Sequence, residues 1–166
     1  RQIESDTTAS ASFNSHGSDD EIVEMTRMGK MISKHMLNSL QISAHVQSFI
    51  EVDVTKVWNW REKIKVKFQE SYAMKITFTP IFMETVAKAL RLHPMLNISV
   101  EGDKIIKHKS INLGMATALA DGNLIVPVIK QADQLNLMGM TKHVNDLASR
   151  ARNNQLSPDD VQDGTY

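Results

Sequence analysis

The stretch Ile111-Asn-Leu-Gly-Met-Ala-Thr-Ala-Leu-Ala-Asp-Gly-Asn-Leu-Ile-Val-Pro-Val-Ile-Lys130 decides the fold, because two apolar runs flank an Asp-Gly-Asn turn and the second run carries an internal proline. Asp-Gly between apolar runs is a hairpin signal, so strands are predicted over 111–119 and 124–129. Pro127 has no N–H and removes a ladder donor, which calls for an edge or a bulge. Gly114, Ala116 and Ala118 leave room for another backbone or a ligand to come close.

Downstream, Met140, Val144, Leu147 and Ala151 recur at helical spacing, with Lys142, Asp146 and Arg150 at four-residue steps on the outer face. Ser157-Pro158-Asp-Asp160 starts a short helical turn, and Gly164-Thr-Tyr166 looks like the start of another strand. Upstream, Ile98-Ser-Val100 and Lys104-Ile-Ile106 flank Glu101-Gly-Asp103 and predict a second hairpin. Thr79-Pro80 predicts a helix start, with the threonine oxygen as cap and the proline preset for the first turn. The helix that follows, Ile81 to Leu92, is apolar all round and is expected to lie buried between layers; His93-Pro94 ends it.

Val57, Trp60, Ile64 and Phe68 mark an amphipathic helix over about Thr55–Ser71, with Lys56, Lys63 and Lys67 on its other face. His45–Val54 alternates apolar and polar residues and predicts a half-buried strand. Met28, Ile32, Met36 and Leu40 predict a first helix over about Thr26–Gln41. Residues 1–23 are rich in Ser, Thr, Asp and Asn and read as an interdomain linker, leaving 24–166 as one domain. Helices interleaved with hairpins and longer crossovers imply an α/β or α+β two-layer sandwich around a mixed sheet.

Composition narrows the functional classes. Lysine plus arginine equals aspartate plus glutamate at 19 each, so no whole-molecule field draws the chain to nucleic acid or an anionic membrane. There is no cysteine, hence no disulfide framework and no thiolate nucleophile or ligand. The apolar runs are far shorter than a membrane span and no signal pattern opens the chain, which reads as cytoplasmic.

Six histidines lack the spacing for a shared ion, so no metal is expected. His16 and Asp20 mimic a His-x-x-x-Asp pattern inside the linker, by coincidence. His45 reads as a strand-end histidine with a structural hydrogen bond. Met28, Met36, Met83 and Met140 sit on apolar faces and read as core filling. The positive run Arg61-Glu-Lys-Ile-Lys-Val-Lys67 reads first as a solvated face and second as a phosphate site. Lys75-Ile-Thr-Phe-Thr79, just before the proline-started helix, suits an anion through free N–H groups and the helix dipole.

Several blocks in register resemble one family. They are Met28-Gly-Lys-Met-Ile-Ser-Lys-His-Met36, Ser43-Ala-His45, Glu51-Val-Asp-Val-Thr55 with Trp60-Arg61, Lys75 through Pro80, Phe82 through Ala89, Pro94-Met-Leu-Asn97 with Ser99-Val100, and Gly122 through Pro127. Together they resemble the catalytic domain of the dihydrolipoyl acyltransferases of 2-oxo acid dehydrogenase complexes, over about Glu24 to Tyr166. Gly29 stands where that family usually has arginine, and Ala44 where it has proline.

The resemblance implies a chloramphenicol-acetyltransferase-like fold, here reaching Tyr166 before the catalytic half. It implies homotrimers building a larger core and partnership with a lipoyl domain, a 2-oxo acid decarboxylase and dihydrolipoyl dehydrogenase. The implied chemistry moves an acetyl or branched-chain acyl group from lipoyl to coenzyme A. A histidine in a His-x-x-x-Asp-Gly motif serves as base and a Ser or Thr hydroxyl stabilises the oxyanion. Neither has a counterpart here, so the catalytic residues are expected beyond Tyr166 and the piece is expected to be inactive alone. Arg61 matches an arginine at the nucleotide end of coenzyme A and Thr77 a hydroxyl position at that end. Two further coenzyme-contact positions fall on Ala118 and Ala148, which can neither donate nor accept. No lipoyl-lysine motif is present, so lipoate is expected on another domain. The competing readings are a non-catalytic assembly piece and a stand-alone chloramphenicol-type acetyltransferase.

Overall fold

A computed structural model describes residues 20–119 and 122–166. Most of the expected linker lies outside the described residues; Asp20–Val23 are neither helix nor strand. The chain divides between Glu51 and Val52 into two compact units.

In the first unit, α1 spans Arg27–Ile42, close to the expected range. Thr26 caps it, its hydroxyl oxygen accepting the Gly29 N–H at 3.1 Å. The apolar stripe is present but bare: Met28 is 45% and Met36 65% exposed, so neither fills a core here. The strand expected over His45–Val54 does not form. Its alternating side chains stand in the open, Val46 and Phe49 both 92% exposed. Alternation marks a surface that would suit a sheet, but a strand exists only where a neighbour takes up its N–H and C=O groups, and none among the described residues does so for 46–52.

The second unit carries the packed structure. Helix α2 spans Thr55–Tyr72 and α3 spans Phe78–Leu92. Asp53 stands before α2 and accepts both the Thr55 hydroxyl, at 2.6 Å, and the Thr55 N–H, at 2.8 Å; these two bonds hold its carboxyl below the usual range. Helix α3 begins three residues before the expected start, with Thr77 rather than Thr79 as N-cap. Pro80 then sits in the first turn, where a missing N–H costs no intrahelical bond. The helix is buried on one face only. Pro80, Ala87 and Leu90 are covered, whereas Phe82 and Leu92 face outward, so it covers the core and is not sandwiched between layers.

Strands β1 (Ile98–Glu101) and β2 (Lys104–Lys107) form the expected antiparallel hairpin, with Gly102 at φ 56° in the turn. The decisive segment forms β3 (Leu113–Gly114), β4 (Thr117–Ala118), β5 (Leu124–Ile125) and β6 (Val128–Ile129), with β3 paired to β6 and β4 to β5, both antiparallel. Both ladders keep one register: Leu113 faces Ile129, Gly114 faces Val128, Thr117 faces Ile125 and Ala118 faces Leu124. The break between them falls where Pro127 sits. Met115 N–H still reaches the Pro127 carbonyl at 2.8 Å, but proline cannot return the bond. The Met115 carbonyl accepts the Thr117 hydroxyl at 3.1 Å in its place. A local substitute donor thus replaces the bulge that the proline called for.

Helix α4 (Leu137–Arg152) follows, capped by Asn136, whose side-chain oxygen accepts the Gly139 N–H at 2.9 Å. The core joins Ala87 and Leu90 of α3, Ile111, Leu113, Met115 and Ile129 of the strand region, and Met140, Val144 and Leu147 of α4. Met140 is fully buried, as expected of core filling. Burial of each such side chain contributes about 1.5–3 kcal/mol.

The chain's last residues return to this core. Tyr166 N–H donates to the Asn112 carbonyl and Gly114 N–H to the Tyr166 carbonyl, the hydrogen-bond pattern of parallel neighbours. A Cβ on Gly114 would lie 2.9 Å from Val126 Cγ1 and 3.6 Å from the Tyr166 carbonyl oxygen, so the glycine makes room for the Val126 side chain, while the Tyr166 backbone would stand at ordinary contact distance. Asn112, 8% exposed, ties this junction with its side chain. Its amide donates to the Asp163 carbonyl at 2.7 Å and its side-chain oxygen accepts the Gln131 N–H at 2.9 Å. Asn112→Ala removes both partners of partly buried backbone groups and is expected to cost about 2–4 kcal/mol in urea unfolding; an unchanged midpoint would show the junction is not structural.

An ion cluster braces α4 against the turn at Pro158–Val161. Arg150 Nη1 and Nη2 grip the Asp160 carboxylate at 2.6 and 3.0 Å, and its Nε holds Asp146 at 2.9 Å. Asp160 also accepts the Ser157 N–H and hydroxyl. The Arg150 guanidinium, followed by the Ser157 donors, holds the Asp160 carboxyl well below the usual carboxylate range. The stabilisation is therefore complete above about pH 5, about a unit above where the unfolded side chain ionises, and is lost as the pH falls toward the depressed folded value. Asp160→Asn is expected to lower stability by about 1–3 kcal/mol at pH 7, with the gap to wild type closing between about pH 5 and pH 2 in denaturant titrations.

Candidate functional site

The region around the start of α3 is built by the linker that joins it to α2. Ala73 closes α2 in the left-handed conformation at φ 51°, turning the chain sharply into Met74–Thr77. Ile76 is 1% exposed and anchors that linker. Its carbonyl accepts Arg61 Nε at 3.0 Å, and the neighbouring Lys75 carbonyl accepts the Asn145 amide of α4 at 3.0 Å. Two consecutive carbonyls are thus held from two helices, which fixes where Thr77 stands.

Phe78 is the apolar counterpart of this clamp. Its ring stacks on Trp58 at 5.2 Å, and the Arg61 guanidinium lies over it at 4.9 Å from the centroid. The cation, ring and indole lock the first residue of α3 against α2, an arrangement in which the arginine's charge and the aromatic quadrupole attract. Arg61 Nη1 also meets Glu62 at 2.7 Å, while Nη2 has no partner among the described residues. Glu62 is shared with Lys65, whose hydrogen bond is the main cause of its lowered pKa. Lys63 and Lys67 are exposed, as a solvated face requires.

Thr77 is the N-cap of α3, yet its side chain makes no capping bond. The hydroxyl and the first N–H groups of α3 are therefore available to something else, as the anion reading of Lys75–Thr79 expects. Two adjoining clefts meet at Thr77. One, of about 190 Å³, is lined by Arg61, Lys75 and Thr77 among others. The other, of about 350 Å³, is lined by Thr77, Thr79, Ala118, Asn145, Ala148 and Arg152 together with Met115–Thr117 and Val144. Arg61, Thr77, Ala118 and Ala148, scattered over 88 positions of sequence, are thereby gathered around one helix start.

Among the described residues no histidine lines either cleft. His45 is exposed, and its Nδ1–H donates to the Ser43 carbonyl at 2.8 Å, a local bond that fits the structural role expected of it, although no strand begins there. His16 lies outside the described residues. Among the described residues no group of three His, Cys, Asp or Glu side chains could hold a metal ion, and no helix is long and apolar enough to cross a membrane. Asn145 and Arg152 escaped the sequence reading, because neither belongs to a motif. The signal for Asn145 is its place three residues before Ala148 and seven before Arg152 on the α4 face that turns toward Lys75, visible only once the helices are docked.

The sequence model of the 2-oxoacid dehydrogenases acyltransferase catalytic domain matches residues 17–166. The chain belongs to this acyltransferase family. It is 38% identical over 146 residues to the dihydrolipoyllysine-residue succinyltransferase component of the 2-oxoglutarate dehydrogenase complex of Bacillus subtilis, a match covering 88% of this chain and 35% of that protein. It is 36% identical over 155 residues to the lipoamide acyltransferase component of the branched-chain alpha-keto acid dehydrogenase complex of the same organism, covering 93% and 36%. Among solved structures, a probable dihydrolipoamide acetyltransferase from Listeria monocytogenes superposes with a TM-score of 0.85 at 37% identity, covering 90% of this chain and 63% of that one. The chain spans about a third of the length of the curated relatives it matches. Succinyl and branched-chain relatives stand at nearly equal identity, so similarity alone does not select the acyl group of this family member.

Proposed function

We propose that this chain supplies the coenzyme A-binding part of a dihydrolipoyllysine acyltransferase, within a chloramphenicol-acetyltransferase-like two-layer sandwich. The observation that carries the reading is the convergence of Arg61 and Thr77 on the uncapped N-terminus of α3, with Ala118 and Ala148 in the wall of the adjoining cleft. Among the described residues nothing else takes the Arg61 Nη2, the Thr77 hydroxyl or the first N–H groups of α3, and together they form a donor set for phosphate oxygens. The small alanines leave a passage along β4 and α4 for a flexible, mostly neutral arm.

The reaction is an exchange of thioesters, in which the coenzyme thiol takes the acyl group from a dihydrolipoyl arm. These residues would bind and orient the coenzyme; among the described residues no histidine lines either cleft, so the general base is not assigned among them. As a component of a 2-oxo acid dehydrogenase complex, the protein would work as a trimer within a larger core. It would receive its acyl group from a lipoyl domain served by the 2-oxo acid decarboxylase and dihydrolipoyl dehydrogenase components.

Equilibrium binding tests the reading. The chain is expected to bind coenzyme A, and Arg61→Ala is expected to weaken coenzyme A by about 10- to 100-fold while weakening dephospho-coenzyme A far less, because the guanidinium faces the 3′-phosphate. Lys67→Ala on the solvated face is expected to change neither. Equal losses for both ligands would remove Arg61 from that phosphate, and absence of any binding by the wild-type chain would overturn the coenzyme reading.

A further inference from the structure

The larger of the two clefts carries one charge, and that charge is uncommitted. Arg152, the last residue of α4, lines it, and its guanidinium forms no hydrogen bond or ion pair among the described residues. Arg150, two positions earlier, is held by both Asp146 and Asp160 and already places a cation at the helix C-terminus. Among the described residues no carboxylate lines the cleft to neutralise Arg152.

The rest of the lining narrows what the cleft can take. Asn145 has spent both amide hydrogens, on the Lys75 carbonyl at 3.0 Å and the Thr141 carbonyl at 2.8 Å. Ala116, Ala118 and Ala148 offer no side-chain polar group. What remains among the described residues is the Arg152 guanidinium together with the Thr77 and Thr79 hydroxyls at the uncapped N-terminus of α3. That is a set of donors for anionic oxygens. Ala148 lies one helical turn before Arg152, and helical side chains lean toward the N-terminus, so the arginine extends over a position where alanine leaves it space.

We propose that Arg152 binds the diphosphate of coenzyme A, a role that rests on the coenzyme reading above. Thr77 is common to both clefts, with Arg61 on one side and Arg152 on the other. A ligand whose 3′-phosphate meets Arg61 crosses Thr77 with its diphosphate and runs its thiol arm along Met115–Ala118. The single charge on that second side then falls on the diphosphate. The guanidinium supplies the donors that Ala118 and Ala148 cannot.

Calorimetric titration of the chain with coenzyme A, dephospho-coenzyme A and pantetheine tests this. Arg152→Ala is expected to weaken coenzyme A and dephospho-coenzyme A alike, by about 10- to 100-fold, and to leave pantetheine unchanged. Arg152→Lys should recover part of the loss, since a point charge replaces a fork. The thermal midpoint of Arg152→Ala should match wild type. Wild-type affinity in Arg152→Ala, a loss confined to coenzyme A, or an equal loss for pantetheine would each overturn the diphosphate assignment while leaving the coenzyme reading in place. A wild-type chain that binds no coenzyme A would overturn both.

Discussion

Four polar atoms of Asn112 hold the second unit together. Its backbone N–H donates to the Thr165 hydroxyl, its carbonyl accepts from Thr165 and Tyr166, its amide donates to Asp163 and its side-chain oxygen accepts from Gln131. Gln131 and Asp163 are both left-handed, at φ 50° and 62°, a conformation that carries a cost for residues other than glycine. The side chain of Asn112 bonds to the backbone of each, so one amide stabilises two unfavourable turns. The first turn sends the chain from β6 toward α4 and the second brings it back beside β3. Without that pair of bonds, the core would lose the crossing that sets α4 against the strands.

The proline at 127 connects the same framework to the clefts. Because it interrupts the ladder without shifting the register, Met115 and Ala116 belong to neither ladder, Met115 keeping its N–H bond to Pro127, and both line the larger cleft. Thr117 satisfies the Met115 carbonyl from within the chain, which spares a buried acceptor that would otherwise cost about 1–3 kcal/mol. A sheet defect thus becomes a smooth, low-polarity surface. Beyond it, the electrostatics divide. Arg61 is partly neutralised by Glu62 and pressed on Phe78, while Arg152 has no partner among the described residues.

Much of this organisation was legible in the chain itself. Helices α1, α2 and α4, the hairpin of β1 and β2, and the paired runs around Gly122 all follow from local periodicity and turn chemistry, which act over a few residues. Arg61 and Thr77 were named because they stand in family-like blocks. The start of α3 was misplaced by three residues, since a Thr-Pro pair announces a first turn without saying which position of that turn the proline takes. The strand expected over His45–Val54 does not form because alternation specifies faces and not a partner.

The sequence by itself determined the α/β character and the family, for these reside in local pattern and short motifs. Only the tertiary structure decided that Arg61, Thr77, Ala118, Ala148 and Arg152 share adjoining clefts. It alone showed that α3 buries one face rather than all of them, and that Arg150 is consumed by Asp146 and Asp160 while Arg152 is not. The physical reason is range: caps, turns and periodicity are fixed between near neighbours, whereas burial and charge pairing depend on which distant groups the folded chain brings within a few ångströms.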